Sequence, residues 1–190
     1  MNLFNHKVNL LPAKDVIWRL SNTELMGHDR FKIYQHAHIS IKSVKPKSLI
    51  PCQRYVLKRE LDKVNTLWAH CIAYHGINIF GLNGGLRFYR GMSIFHTLPP
   101  IVEDGILNDG MHRVFTARQK GYRRINVLWV EGVPSEYPYY AKPLPGGWKD
   151  VEEHETLPEG FKKKEYVDPE NYKALFRDFN EIFPGIQEKR

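Results

Sequence analysis

Two Asp-Gly pairs separated by three residues constrain the fold of this chain more than any other feature of its sequence. Asp104-Gly105 is typical of a hairpin, because aspartate and glycine both tolerate the positive φ that tight hairpin turns require. This pair joins a short extended run at residues 100–103 to a returning strand at residues 106–108. Asp109-Gly110 predicts a second turn directly after that strand.

A short helix and a strand follow the second turn. Residues 112–120, with the sequence HRVFTARQK, predict a helix of about two turns that ends at Gly121. Residues 125–130, with the sequence INVLWV, predict a hydrophobic strand bounded by Gly132 and Pro134. Residues 100–132 therefore form one unit made of a hairpin, a loop, a helix and a strand.

Patterns elsewhere in the chain are less regular. Residues 55–75 carry apolar side chains at helical spacing and predict one amphipathic helix, which Gly76 ends. Residues 81–91 are rich in glycine, and we interpret them as a loop. The other predicted elements are a short helix starting at 15–20, a strand at 38–44, a turn at 45–51, an irregular excursion at 133–165, and a C-terminal helix that Asp168 caps and Pro184-Gly185 ends.

The five residues Asp109-Gly-Met-His-Arg113 stand where the sequence predicts that a strand ends and a helix begins. The first turn of a helix leaves backbone N–H groups unpaired and carries a partial positive charge, so a phosphate fits there. Arg113 can add a bidentate contact, and His112 can donate to a phosphate oxygen or move a proton near neutral pH. Asp109 can cap the helix, orient His112 or help to hold Mg²⁺. The alternative is a capped helix whose His-Arg pair faces solvent.

The formal net charge of +7 is concentrated in the first half of the chain. Residues 1–100 hold 14 lysines and arginines against 5 acidic residues, whereas residues 101–190 hold 14 against 16. The first half can therefore attract nucleic acid, nucleotide phosphates or an acidic partner. An ordinary basic surface explains the same excess.

Composition excludes several classes of protein. With 42% hydrophobic and 13% aromatic residues, the chain can bury a core, which excludes wholesale disorder. No stretch approaches the roughly 18 consecutive apolar residues that a membrane span needs. Cys52 and Cys71 are the two cysteines of the chain, and they form neither a disulfide scaffold nor a zinc-site spacing. We therefore expect a cytoplasmic protein with no membrane partner.

Residues 100–132, PIVEDGILNDGMHRVFTARQKGYRRINVLWVEG, resemble the core of the ParB/sulfiredoxin superfamily. The shared pattern is Pro-Ile, a strand pair, Asp-Gly-x-His-Arg, a short helix, a glycine, and a strand that enters Val-Glu-Gly. Upstream, the segment SIKSVKPKSLIPCQRYV more weakly resembles the strand and Pro-x-Gln turn that open this domain. The resemblance implies an α+β domain at 36–132 with a small mixed sheet and packed helices. Residues 1–35 are then an N-terminal segment, and 133–190 are the excursion and a C-terminal helical extension packed on the same domain.

The superfamily contains several activities, and departures in this chain separate them. Sulfiredoxins carry a catalytic cysteine just before the His-Arg pair, where this chain has Met111, and a thioether cannot act as a thiolate nucleophile. ParB proteins that bind centromeres have a downstream helix-turn-helix domain, which the residues after Gly132 do not resemble. The Asp-Gly-x-His-Arg form is more similar to the free serine kinases and to ParB-like ATPases and nucleases. The free serine kinases use an upstream glutamate base, where this chain offers Gln53 and, further on, Glu60.

The resemblance thus implies a nucleotide-binding enzyme that uses Mg²⁺ with ATP or ADP and hydrolyses an NTP or transfers a phosphoryl group. One alternative is a nucleic-acid-binding protein or nuclease acting on DNA or RNA, and another is a non-enzymatic regulatory interaction module. The candidate residues are Asp109 and His112 for catalysis, Gly110, Met111, His112 and Arg113 for phosphate binding, Asp109 for a metal, and Gln53, Arg54, Glu60 and Arg118 as accessory residues.

Overall fold

The computed structural model describes residues 7–26, 31–90, 93–133, 142–157, 159 and 176–177. Within these ranges lie the helices α1 (Ala13–Ser21), α2 (Lys58–His75) and α3 (Met111–Gln119), and short 3-10 turns at Pro46–Ser48, Ile79–Gly81 and Gly147–Asp150. The strands are, in chain order, β1 (Lys7–Pro12), β2 (Glu24–Met26), β3 (Phe31–Lys32), β4 (His38–Val44), β5 (Ile50–Pro51), β6 (Tyr55–Leu57), β7 (Gly84–Arg90), β8 (Ser93–Thr97), β9 (Ile101–Glu103), β10 (Ile106–Asp109), β11 (Ile125–Glu131), β12 (Glu152–His154) and β13 (Phe176–Arg177). The content is mixed, which confirms the predicted α+β class.

The central sheet has five strands in the order β4-β11-β9-β10-β5 and mixes parallel with antiparallel pairs. Strands β9 and β10 are the predicted hairpin, and its turn has positive φ at both Asp104 (47°) and Gly105 (90°). Strand β11 lies parallel to β9 and antiparallel to β4. The pairing therefore brings the hairpin of residues 100–110 into the middle of the sheet, with α3 following directly from it.

The central sheet is buried on both faces. Along β11, Val127 belongs to a core shared with α2 and α3, whereas its neighbour Leu128 belongs to a second core shared with α1. This alternation follows from the two-residue period of a strand. It explains why five of the six residues at 125–130 are hydrophobic, because each face of the strand packs against a core. The exception is Asn126, whose side-chain amide donates to the carbonyl oxygens of Gly81 and Leu82. Val16 and Tyr34 are fully buried in the second core, so the segment before residue 36 supplies part of the interior.

The predicted loop at residues 81–91 is wrong, because residues 84–90 form strand β7. It pairs antiparallel with β1 on one side and with β8 on the other. Leu86 and Phe88 point into the core, while Arg87 between them is only partly buried. Gly84 has no room for a side chain, because a Cβ there would lie 2.0 Å from the carbonyl oxygen of Leu11. Gly84 therefore allows the backbones of β7 and β1 to approach each other closely.

The predicted helix at 55–75 begins three residues later than its periodicity indicates. Residues 55–57 are strand β6, which is buried and pairs in parallel with β12. The β-sheet partner comes from the excursion after residue 133, which no local pattern reveals. Gly76 ends α2 as predicted, with φ of 63° and its N–H donating to the carbonyl of Ile72 at 3.1 Å.

The predicted C-terminal helix lies outside the described residues except at Phe176–Arg177. These two residues form β13, which pairs antiparallel with β2, so the helical interpretation is wrong there. The predicted elements at 15–20, 38–44 and 112–120 are confirmed as α1, β4 and α3. The predicted turn at 45–51 contains the 3-10 turn at Pro46–Ser48 but is wrong at Ile50–Pro51, which pair with β10 as strand β5. Within the described part of the chain, no helix combines the length and apolarity needed to cross a membrane.

Candidate functional site

The candidate site begins at Gly110, which links the end of β10 to the start of α3. Its φ of 87° lies in the left-handed region, where glycine has no steric penalty. A Cβ at this position would lie 2.8 Å from the Cβ of Pro100 and 2.9 Å from Nη2 of Arg113. The turn is therefore packed against the chain on two sides, and only glycine fits it.

The Arg113 side chain binds both the end of β10 and the segment that precedes β9. Its Nη2 donates to Oδ2 of Asp109 at 2.7 Å, and its Nη1 donates to the carbonyl oxygen of Leu98. The two side chains are 16% and 29% exposed, so the pair is largely shielded from water, which strengthens the charge-assisted bond. These contacts use two of the five N–H groups of the guanidinium within the described structure. Arg113 therefore has a structural role that its sequence context did not predict.

His112 joins the starts of two helices. Its Nε2 accepts a hydrogen bond of 3.1 Å from the backbone N–H of Leu57, the residue immediately before α2. This bond requires a neutral ring with its proton on Nδ1, since a protonated Nε2 would face the N–H donor. In this arrangement Nε2 is an acceptor and Nδ1 carries the proton, so the predicted donation to a phosphate oxygen would come from Nδ1.

Met111, the first residue of α3, has a buried side chain and offers the site only its backbone N–H. Its side chain is 4% exposed and belongs to the core that α2, α3 and the sheet share. This burial anchors the first turn of α3 to the interior. The N–H groups of Met111, His112 and Arg113 lie in that first turn, where the helix itself supplies no acceptor.

Two residues of the upstream turn are buried and serve the fold. Cys52 is fully buried, and its Sγ donates to the carbonyl oxygen of Leu107 at 3.1 Å. Gln53 is 4% exposed, and its side-chain amide donates to the carbonyl oxygen of Tyr55 at 2.5 Å. The side-chain amide of Gln53 thus binds within its own turn, and its accessory role stays a prediction.

The other upstream candidates lie near the start of α2. Glu60 is in the first turn of that helix and pairs with Lys63 at 3.2 Å and with Arg59 at 3.3 Å. The carbonyl oxygen of Arg54 accepts from the N–H of Glu152 at 2.9 Å, so its backbone supports the β6–β12 pair. Neither contact places Glu60 or Arg54 against the 109–113 turn.

The contact that the structure shows for the Arg118 side chain is with Trp148 and not with the 109–113 turn. Its guanidinium lies 4.0 Å from the ring centre of Trp148, and burial lowers its pKa. The indole N–H of Trp148 in turn donates to the carbonyl oxygen of Leu49 at 2.7 Å. Trp148 therefore pins the excursion to the domain. Tyr137, Tyr139 and Tyr140, which share its aromatic character, lie outside the described residues.

A buried polar cluster beside the site escaped the sequence interpretation. Glu103 is 3% exposed, and its Oε1 accepts from the hydroxyl of Tyr34 and, at 2.5 Å, from the amide of Asn108. Asn108 occupies the irregular register between Leu107 and Asp109 and directly precedes the candidate turn. The sequence shows a glutamate, Glu103, next to the hairpin turn. It does not indicate the contact with Tyr34, which lies 69 positions earlier.

Metal-binding capacity at the site rests on one carboxylate. Among the described residues, no group of three or more His, Cys, Asp or Glu side chains is arranged to hold a metal ion. Asp109 has one oxygen bound to Arg113. A single carboxylate suits Mg²⁺ better than other ions, because Mg²⁺ commonly takes one or two protein carboxylates together with substrate phosphates and water. Asp109 is thus the carboxylate of the 109–113 turn that could supply one ligand to an ion.

The mixed five-stranded sheet and the Asp-Gly-x-His-Arg helix start together define a domain of the ParB/sulfiredoxin type. The sequence matches the ParB CE domain family over residues 15–152, and the chain belongs to that family. The match extends on both sides of the segment, residues 36–132, that the sequence resemblance assigned to the domain. No curated protein and no solved structure matches the chain.

Proposed function

We propose that the chain binds ATP or ADP through its phosphates at the first turn of α3, residues 110–113. With Mg²⁺ present, it hydrolyses an NTP or transfers a phosphoryl group. Membership of the ParB CE family supports the superfamily. The hydrogen bond between His112 and the N–H of Leu57 is the observation that carries the proposal, because it joins two helix starts.

The electrostatic argument follows from that contact. Each helix places roughly half a positive charge at its N-terminus, carried by N–H groups that lack intrahelical partners. Two such ends, held together by a 3.1 Å bond, form a preorganised region of positive potential. The charge of Arg113 is paired with that of Asp109, but the guanidinium keeps N–H groups beyond the two that bind Asp109 and Leu98, and these can donate to a phosphate. A phosphate chain is the ligand that this arrangement suits.

Each residue of the turn has a distinct part in the proposed reaction. Arg113 clamps a phosphate, and the N–H groups at the start of α3 hold its oxygens. His112 keeps the two helix starts together and offers its Nδ1 proton. Asp109 would hold Mg²⁺ together with phosphate oxygens and water, and the ion supplies positive charge opposite the phosphates. Catalysis then comes mainly from positioning and charge neutralisation.

Phosphorus NMR of ATP and of ADP, each incubated with the protein and Mg²⁺, tests the proposal. Inorganic phosphate as product indicates hydrolysis, and a new phosphoester in the presence of added serine indicates transfer to a hydroxyl. His112→Ala abolishes turnover in either case. His36→Ala is the matched control, because His36 is exposed and lies outside the site. His112→Gln restores an acceptor for the N–H of Leu57, so its activity separates helix positioning from proton movement.

Binding is measured separately by calorimetry. Arg113→Ala weakens nucleotide binding by about 10- to 100-fold, because a hydrogen bond to a charged group contributes about 1.5–3 kcal/mol. Arg113→Lys keeps the charge but not the planar fork, so it binds with intermediate affinity. An Arg113→Ala variant that remains folded and binds nucleotide as tightly as the wild type overturns the assignment. Tight binding without turnover overturns the enzymatic part alone.

A further inference from the structure

An open groove lies at the other end of α3 from the candidate nucleotide site. Its volume is about 490 Å³. One wall is the turn between β4 and β5, and the other is the end of α3 with the residues that follow it. A helix of nine residues is roughly 13 Å long, so the groove and the 110–113 turn are separate sites on one helix. The lining residues are Lys45, Pro46, Lys47, Arg118, Gly121, Tyr122 and Arg123.

The groove is positively charged and contains no acidic side chain. Four of its lining residues are cations, and none of them forms an ion pair with a carboxylate in the described part of the chain. Cations on other surfaces of the protein do form such pairs, for example Lys42 with Glu131 at 3.1 Å. Among the described residues, no carboxylate therefore compensates the charge of the groove.

The helix dipole does not account for this cluster. Cations are favourable near the C-terminal carbonyls of a helix, and Arg118 is in the last turn of α3. Lys45 and Lys47, however, belong to the opposite wall and are exposed, and Arg123 follows the end of the helix. In the part of the chain that the structure describes, three of the four charges thus have no ion-pair partner that explains their position.

We propose that this groove binds the phosphodiester backbone of a nucleic acid, independently of the nucleotide site. An extended polyanion can contact both walls at once and neutralise charges that a single phosphate cannot reach together. A membrane surface fits less well, because none of the large exposed hydrophobic residues of the described chain lines the groove. Contacts to phosphates carry no base information, so the binding is independent of sequence.

Fluorescence anisotropy with a labelled random-sequence 20-base-pair DNA duplex, over a range of salt concentrations, tests the proposal. The logarithm of the binding constant falls by about 0.9 per phosphate contact for each tenfold rise in salt. Four contacts therefore give a slope of about −3.6. The double variant Lys45→Ala/Lys47→Ala reduces its steepness by about 1.8 and weakens binding by about 60-fold at 0.1 M salt.

Lys7→Ala/Lys14→Ala is the matched control, because these lysines lie on β1 and α1, are exposed, and remove the same charge. The control keeps the wild-type slope, and Lys45→Ala/Lys47→Ala keeps its affinity for ATP and ADP. Equal weakening by both double variants overturns the proposal, since it would show only a response to net charge. A flat salt dependence also overturns it, and so does binding to anionic phospholipid vesicles without binding to the duplex. Failure of nucleotide binding at residues 110–113 leaves this result unaffected.

Discussion

Gly110→Ala tests the geometry of the 109–113 turn through the stability of the protein. Gly110 has a φ of 87°, and an added Cβ would lie 2.8 Å from Cβ and 2.9 Å from Cα of Pro100. The Cα is backbone and cannot rotate away as the end of a flexible side chain can. The substitution therefore introduces both backbone strain and a steric clash.

The backbone strain and the steric clash can be separated by substituting glycines at which only the backbone strain is expected. A left-handed conformation costs an L-residue about 1–2 kcal/mol. Overpacking of a well-packed site costs a further 1–3 kcal/mol or so. Gly76 and Gly121 have φ of 63° and 72°, and an added Cβ meets nothing within 4 Å at either position. Gly110→Ala should thus lower the free energy of unfolding by about 3 kcal/mol and each control by about 1 kcal/mol.

Thermal unfolding followed by circular dichroism distinguishes these values. For a chain of this size, 1 kcal/mol corresponds to a shift in Tm of about 2–4 °C. We expect Gly110→Ala to lower the Tm by about 6–12 °C, against about 2–4 °C for Gly76→Ala or Gly121→Ala. If all three variants lose the same stability, the turn does not pack against Pro100 and the reasoning is wrong.

Three further predictions concern buried groups. Burial raises the pKa of Cys71 from 9.0 to about 11, so folded protein at pH 8 resists a thiol reagent that modifies the urea-unfolded chain. Because the pKa of Cys71 is higher in the folded than in the unfolded chain, the stabilisation that the neutral thiol contributes is complete below pH 9 and is lost toward pH 11. The unfolding free energy of the wild type relative to Cys71→Ala should therefore fall across that window, and a constant difference would contradict the prediction. Trp148→Phe removes the donor to Leu49 and should cost about 1–2 kcal/mol in urea unfolding, whereas an unchanged midpoint would show that the bond does not hold the excursion. Tyr34→Phe takes one donor from buried Glu103 and should cost about 1–3 kcal/mol; no loss of stability would mean that the carboxylate is satisfied without it.

Local signals predicted most of the central unit. The hairpin at Asp104-Gly105, the helix that Gly121 follows, and strand β11 all depend on turn chemistry and side-chain period, which act within a few residues. The predictions were wrong where distant segments decide the conformation. Residues 84–90 became a strand because β1 and β8 pair with them, and residues 55–57 became a strand because β12 does.

The site shows the same division. A phosphate-binding turn was predicted from Asp109-Gly-Met-His-Arg113 because a helix start is a local feature with known electrostatics. The contact between His112 and Leu57, the hydrogen bond from Arg113 to Leu98 and the cluster around Glu103 join residues between 5 and 69 positions apart. No spacing rule in the sequence indicates them.

What the sequence by itself determined is the class of fold, the order of the hairpin, helix and strand, and the residue types at the helix start, because backbone preferences and hydrophobic period are encoded locally. Only the tertiary structure decided how those residues are used. It brought the starts of α2 and α3 together at His112, placed the guanidinium of Arg118 over the ring of Trp148, and gathered cations from two segments into one groove. The physical reason is that hydrogen-bond partners and uncompensated charge depend on distances between segments, and those distances are set by how the helices pack on the two faces of the sheet.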